Sequence, residues 1–127
     1  MNYEDTRLSK RVLIVDNGFG DRMILSGLLA SFGYTVVGQA RNTQESIEKY
    51  QDLKPDLVVM DVAIPDADGV SAIRRLLYID ETANIIVSVS NGQRSLAMEA
   101  LSAGAKDFIT KPINPRSLQK VLRSASS

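Results

Sequence analysis

The sequence predicts an α/β fold: a doubly wound parallel sheet of five strands with helices on both faces. Three observations carry this. Short, continuous apolar runs rich in β-branched residues recur along the chain, as strands buried on both faces require. Amphipathic stretches of helical period separate them. Glycine, proline and capping residues stand at the junctions, so strands and helices alternate strictly.

In chain order, Val12-Leu13-Ile14-Val15 is the first strand. Leu25, Leu28, Leu29 and Phe32 fall at i, i+3, i+4 and i+7 and define the first helix, with Gly33 just past its end as a C-cap. Tyr34-Thr35-Val36-Val37 is a weaker run, suited to a strand near the sheet edge. Asn42 and Glu45 have capping-box spacing ahead of a short helix marked by Ile47 and Tyr50. Leu57-Val58-Val59-Met60 is the third strand, and Val70, Ile73 and Leu77 mark the next helix. Ile85-Ile86-Val87 is the fourth strand. Ser90 and Gln93 again have capping-box spacing, which makes Ser90 the cap of a helix carrying Ala97, Ala100 and Leu101 and closed by Gly104. Phe108-Ile109-Thr110 is a second edge strand. Asn114-Pro115 reads as an N-cap with proline at the first helical position, ahead of Leu118, Val121, Leu122 and Ala125. Residues 1–127 form one domain, with residues 1–10 a polar lead-in and residues 124–127 a frayed tail.

Composition narrows the chemistry. Hydrophobic residues make up 44% and charged residues 24%, ordinary for a soluble globular protein. Fifteen basic residues balance fifteen acidic ones, so no global field draws the chain to nucleic acid or an anionic membrane. With neither cysteine nor histidine, disulfides, thiolate metal sites, Ser-His-Asp hydrolysis and nearly all zinc catalysis are excluded. No stretch suits a signal peptide or a membrane span, and a cytoplasmic location is expected. Carboxylates, lysines and hydroxyls must carry whatever this protein does.

In a doubly wound sheet the working site lies outside the carboxyl ends of the strands. The polar residues there are Asp16-Asn17 after strand one, Asp61 after strand three, Val89-Ser90 after strand four and Thr110-Lys111-Pro112 after strand five. A lone strand-end Asp is as readily a turn former as a functional group. Two of them converging with a lysine point to a site.

These residues carry a resemblance. Val12-Leu13-Ile14-Val15-Asp16, Pro55-Asp56-Leu57-Val58-Val59-Met60-Asp61, Pro65 with Asp68-Gly69, Ala103-Gly104-Ala105-Lys106-Asp107-Phe108 and Lys111-Pro112 resemble, in order and spacing, the receiver domains of bacterial two-component response regulators. The resemblance covers about residues 11–123 and is nearest to single-domain chemotaxis-type regulators. It implies a flavodoxin-like sheet of order 2-1-3-4-5. It implies phosphoryl transfer from a histidine kinase onto Asp61, with Mg²⁺ held by Asp16, Asn17, Asp61 and the backbone oxygen of Ala63. Lys111 would pair with the phosphoryl oxygens, across a Lys111-Pro112 bond that is cis. The resemblance implies a phosphoacceptor signalling domain rather than an enzyme. Its downstream partner would be a protein, docking on a helix 4–strand 5–helix 5 face that includes Arg94, Met98, Lys106, Phe108, Ile113 and Arg116; nucleic acid and membrane are not expected partners of this chain. The charges follow from the chemistry: a carboxylate attacks a phosphoryl group only where the incoming charge is neutralised, by a dication and an ammonium.

Two departures stand out. The family's second acid after strand one, a direct metal ligand, is here Asn17, whose amide oxygen coordinates without charge. A unit-charge pair at 4 Å in an effective dielectric near 20 is worth roughly 4 kcal/mol, so after desolvation a loss of at least about tenfold in Mg²⁺ affinity is expected. The family's Thr or Ser, 22 residues before the lysine, is Val89, which cannot donate to a phosphoryl group. At the aromatic switch position, three residues before the lysine, stands Phe108. The alternative is therefore a receiver fold kept as an interaction module without a phospho-switch. A third reading, a dinucleotide enzyme, rests on Gly18-Phe19-Gly20 alone. The third glycine of that fingerprint falls on Met23, and strand two ends in Gly38-Gln39-Ala40 without an acid for the ribose.

Overall fold

The apolar runs form five parallel strands hydrogen-bonded in the order β2-β1-β3-β4-β5. A computed structural model describes residues 9–64 and 69–126. The elements are β1 (Arg11–Val15), α1 (Phe19–Ser31), β2 (Thr35–Ala40), α2 (Thr43–Leu53), β3 (Leu57–Asp61), α3 (Gly69–Ile79), β4 (Ile85–Val89), α4 (Arg94–Ala103), β5 (Asp107–Thr110) and α5 (Pro115–Ser126). The fold class is the one expected, and the weaker runs β2 and β5 are the two edges. Pro65 and Asp68 of the resembling motif, most of the lead-in (residues 1–8) and Ser127 lie outside the described residues.

Strand alternation splits the core into two layers. Leu13, Val15, Val58, Met60, Ile85 and Val87 face α2, α3 and α4 through Ile47, Tyr50, Ala72, Ile73, Leu76 and Ala100. Val12, Ile14, Leu57, Val59, Ile86 and Ile109 face α1 and α5 through Leu25, Leu29, Leu118 and Leu122. Each fully buried leucine of these helices contributes about 1.5–3 kcal/mol. Both layers hold the strands so that their carboxyl ends line up at one end of the sheet.

Local punctuation mostly behaves as expected. Gly33 and Gly104 follow α1 and α4 at positive φ, 91° and 120°. The amide oxygen of Asn114 accepts from the N–H of Ser117, capping α5 ahead of Pro115. Asn42 caps α2 by accepting from the Glu45 N–H at 2.8 Å, but Glu45 bonds the N–H and guanidinium of Arg41 instead of closing the box.

Three expectations need correction. Strand two starts at Thr35 rather than Tyr34 and runs to Ala40, the end expected for it, well past its apolar run. As a half-exposed edge strand it admits Gly38 and Gln39, so its sequence does not read as an apolar run. Ser90 does not cap α4: the chain makes one more turn, with Gln93 at the N-cap and its side chain accepting from the Ser90 N–H at 2.8 Å. The carboxyl-terminal tail is not frayed from Ser124, since α5 continues to Ser126. Asn84 donates to the Ala125 carbonyl at 2.7 Å, and Tyr34 reaches Ser126 at 3.4 Å, so tertiary contacts hold the last turn. The lead-in is likewise tied at its end, where Ser9 donates to the Gly33 carbonyl and Lys10 accepts from Thr35.

Candidate functional site

Asp16 follows the last residue of β1 and is buried. A buried carboxylate must be paired or hydrogen-bonded, and this one is both. Oδ1 accepts from the Gly18 N–H at 2.8 Å, and Oδ2 accepts from Lys111 Nζ at 2.9 Å. Its backbone is pinned as well, with the N–H donating to Ala40 and the carbonyl accepting from Arg22 Nη1.

Asp61 closes β3. Oδ1 accepts from the Ala63 N–H at 2.9 Å in a turn that fixes the rotamer, and Oδ2 accepts from Lys111 Nζ at 2.9 Å. Lys111 leaves β5 with its N–H bonded to the Val89 carbonyl, which carries the β4–β5 ladder one residue further. The Lys111-Pro112 bond is cis, as the resemblance implied.

The ammonium has a third partner that sequence reasoning missed. Asp21 Oδ2 lies 3.0 Å from Lys111 Nζ. Asp21 sits in the first turn of α1, which starts over the end of β1. That placement was the available signal: polar residues in the first turn after a strand face the strand ends. Burial works against the charge of Lys111, but the hydrogen bonds it donates to Asp61, Asp16 and Asp21 outweigh it and hold its pKa above the ordinary lysine value. The site therefore keeps its cation throughout the neutral range.

The other expected residues are placed less centrally. Asn17 is exposed. Ala63 is exposed beside Asp61. Val89 is 1% exposed and packs in a small apolar cluster with Val62 and Ala97, against which Leu96 and Phe108 lie. Val89 and Phe108 also line a cavity of about 210 Å³ with Ser90, Asn91, Gly92, Arg94 and Thr110. Arg94, Lys106, Pro112 and Arg116 are exposed, Met98 is 42% exposed, and Phe108 and Ile113 are half-buried.

For a metal, the donor set is all hard oxygen, which suits Mg²⁺ and not a softer ion. Among the described residues no three acidic groups form a ready cage; the carboxylates of Asp16, Asp21 and Asp61 are arranged around an ammonium, which stands where cationic charge is required. Gly18 leaves room beside two of them, since a Cβ there would lie 3.2 Å from Asp21 Oδ2 and 3.4 Å from Asp16 Oδ1. The hard-oxygen donors Asp16 and Asp61, with the amide of Asn17 and the carbonyl of Ala63 nearby in sequence, fit a small dication by their chemistry. Among the described residues no helix is long and apolar enough to cross a membrane.

Comparison with known proteins agrees with this geometry. The family model of the response regulator receiver domain matches residues 12–123. The chemotaxis protein CheY of Thermotoga maritima is 44% identical over 119 residues, spanning 94% of this chain and 99% of that protein. CheY of Bacillus subtilis is 42% identical over 105 residues, 83% of this chain and 88% of that one. A chain in the crystal structure of the CheX–CheY–BeF3–Mg²⁺ complex from Borrelia burgdorferi superposes with a TM-score of 0.90 at 28% identity, covering 100% of this chain and 96% of that chain.

Proposed function

We propose, on the premise that this chain belongs to the response regulator receiver family of two-component signalling, that Asp61 is its phosphoacceptor. The observation that carries the reading is the pairing of Lys111 Nζ with both Asp16 and Asp61 at 2.9 Å at the strand ends. A carboxylate oxygen of Asp61 forms the new O–P bond as the N–P bond of a kinase phosphohistidine breaks, and the departing imidazole nitrogen takes a proton from water. Lys111 already stands beside the Asp61 carboxylate, so its ammonium meets the incoming phosphoryl oxygens, which carry the added negative charge, with little reorganisation. Mg²⁺, when bound, supplies the remaining neutralisation; Asp16, Asp61, the amide oxygen of Asn17 and the carbonyl of Ala63 would hold it. The phosphorylated chain would then signal by contact with a protein through the face of Arg94, Met98, Lys106, Phe108, Ile113 and Arg116. The Borrelia CheY chain, solved in a complex with CheX, supports a protein target of this kind.

A second reading has an observation of its own. Val89 fills an apolar cluster at the place where a hydroxyl would report phosphorylation, which favours an interaction module that has lost the phospho-switch. One experiment separates the two. With acetyl phosphate and Mg²⁺ the wild type should gain one phosphoryl mass, and Asp61→Asn should not. An unmodified wild type at saturating donor supports the interaction module instead.

A further inference from the structure

Helices α2 and α3 leave a furrow between them on the outer side of their layer. A cavity of about 340 Å³ lies between Ile47 of α2 and Arg74, Arg75, Tyr78 and Ile79 of α3. A second, of about 410 Å³, shares Ile79 and runs on to Lys54 and Pro55 beyond the end of α2. The two make one groove, because Ile79 stands in the wall of both. Lys54 precedes β3, so this end of the groove lies at the amino ends of the strands, away from Asp61. Its apolar wall on α3 is open to water: Tyr78 is 93% exposed and Ile79 40%, while Ile47 across from them is buried.

The charge that this groove offers is of one sign. Arg74, Arg75 and Lys54 are exposed. Among the described residues none of the three pairs with a carboxylate. Asp80, an acid in the wall, is engaged within the protein, with Oδ2 accepting from Tyr50 and Oδ1 from Thr82. Lys54 adds a second signal. It caps α2 at φ 48°, in the left-handed region where Gly33 and Gly104 close α1 and α4. A side chain is strained there and glycine is not. An ammonium therefore stands at the groove at the expense of the local backbone.

We propose that this groove docks an acidic amphipathic segment of a partner protein. Its apolar residues seat on Ile47, Tyr78 and Ile79, and its carboxylates meet Arg74, Arg75 and Lys54. Tyrosine and arginine dominate binding energy at protein interfaces, and on α3 they stand side by side. Charge selects the partner, since a basic or neutral segment leaves three cations unanswered. A small anionic ligand fits less well. Such sites bury about 70–90% of the ligand, whereas an almost fully exposed Tyr78 supplies one wall only. A protein segment needs only one of its faces covered. This surface lies on other elements than the face of Arg94, Met98 and Lys106, and its use does not depend on phosphorylation of Asp61.

The test selects a random peptide library, displayed on phage, against the full chain and titrates the selected peptides by fluorescence anisotropy. They should combine aspartate or glutamate with leucine or aromatic residues. Arg74→Glu with Arg75→Glu should weaken them by about tenfold or more, and so should Tyr78→Ala. All three positions are exposed, so these variants should melt as wild type does. A peptide with its acids changed to lysine should prefer the doubly reversed variant, which a merely damaged surface would not produce. An empty selection overturns the proposal, as do peptides that bind the variants and wild type alike. Peptides whose apolar residues can become alanine without loss would reduce the groove to general anion attraction, and overturn it too. A concentration-dependent dimer abolished by Arg74→Glu would assign the groove to a second copy of this chain instead. None of these outcomes bears on Asp61, which the acetyl phosphate experiment reads separately.

Discussion

Lys111 Nζ and Asp61 Oδ2 lie 2.9 Å apart, and the same ammonium lies 2.9 Å from Asp16 and 3.0 Å from Asp21. One cation thus holds three carboxylates from β1, α1 and β3 at the end of the sheet. The arrangement is a charge balance before it is a reaction site, and removing the cation should show first as a loss of stability.

Lys111→Met keeps the stem and deletes the charge, leaving three carboxylates to repel one another. The expected cost in chelator is about 2–3 kcal/mol, below the ~3–5 kcal/mol of a fully buried broken pair because the Asp21 edge is open to water. Urea denaturation of the two proteins measures it. Equal midpoints would mean that the carboxylates do not need this cation.

Val89→Thr should deepen the switch. A hydroxyl bonded to a charged phosphoryl oxygen is worth about 1.5–3 kcal/mol, a shift of roughly ten- to over a hundredfold in the ratio of active to inactive states. Without phosphorylation the same hydroxyl enters the cluster of Val62 and Ala97 and should cost about 1–3 kcal/mol. Amide chemical shifts over residues 89–116, with and without beryllofluoride, read the first effect, and thermal melts the second. Large wild-type shifts that the substitution leaves unchanged would show that Val89 does not limit the switch.

Away from the site, Tyr50 donates to Asp80 Oδ2 at 2.7 Å, joining α2 to the end of α3. Hydrogen bonds from Thr82 and then Tyr50 hold the Asp80 carboxyl below its usual pKa, and burial first, with Asp80 second, pushes the Tyr50 hydroxyl up. With the folded pKa of Asp80 below the unfolded value, its contribution is complete above the ordinary carboxylate range and is lost as pH falls through the folded value. Asp80→Asn should therefore destabilise at pH 7, and its deficit should shrink towards pH 3. A deficit that is constant with pH would assign the effect to shape rather than charge.

Gly69→Ala should disturb the segment after Asp61. The Gly69 N–H donates to the Val62 carbonyl at 2.8 Å, and an added Cβ would lie 2.5 Å from that oxygen. Because backbone has to move, a cost of about 1–3 kcal/mol is expected. Urea midpoints would show it, and no change would mean that Val62 and Gly69 give way to the added Cβ without cost.

The strands and the direct candidates at the site were legible because their signals are local. A β-branched run such as residues 57–60 specifies a doubly covered strand wherever it falls, and the residue that ends it, Asp61, is then placed at the sheet end by geometry alone. The same holds for Asp16 and Lys111, which the structure brings to one point. The apolar run marks only the first half of the edge strand β2, because one exposed face relaxes the demand for apolar residues. The end of α5 was misread because its last turn is held by Asn84 and Tyr34, not by a local cap.

Asp21 shows where the sequence alone stops. By local rules it is an acid in a first helical turn, indistinguishable from any that complements a helix dipole. Its meeting with Lys111 depends on how α1 sits over the ends of β1 and β5, which is decided by packing of Leu25 and Leu29 against the sheet beside Leu118 and Leu122. The face of Val89 was decided in the same way, by Ala97 and Val62 closing over it. Sequence period specifies which way a residue faces on its own element. Only tertiary packing decides which charge stands opposite it, because that contact spans residues with no local pattern in common.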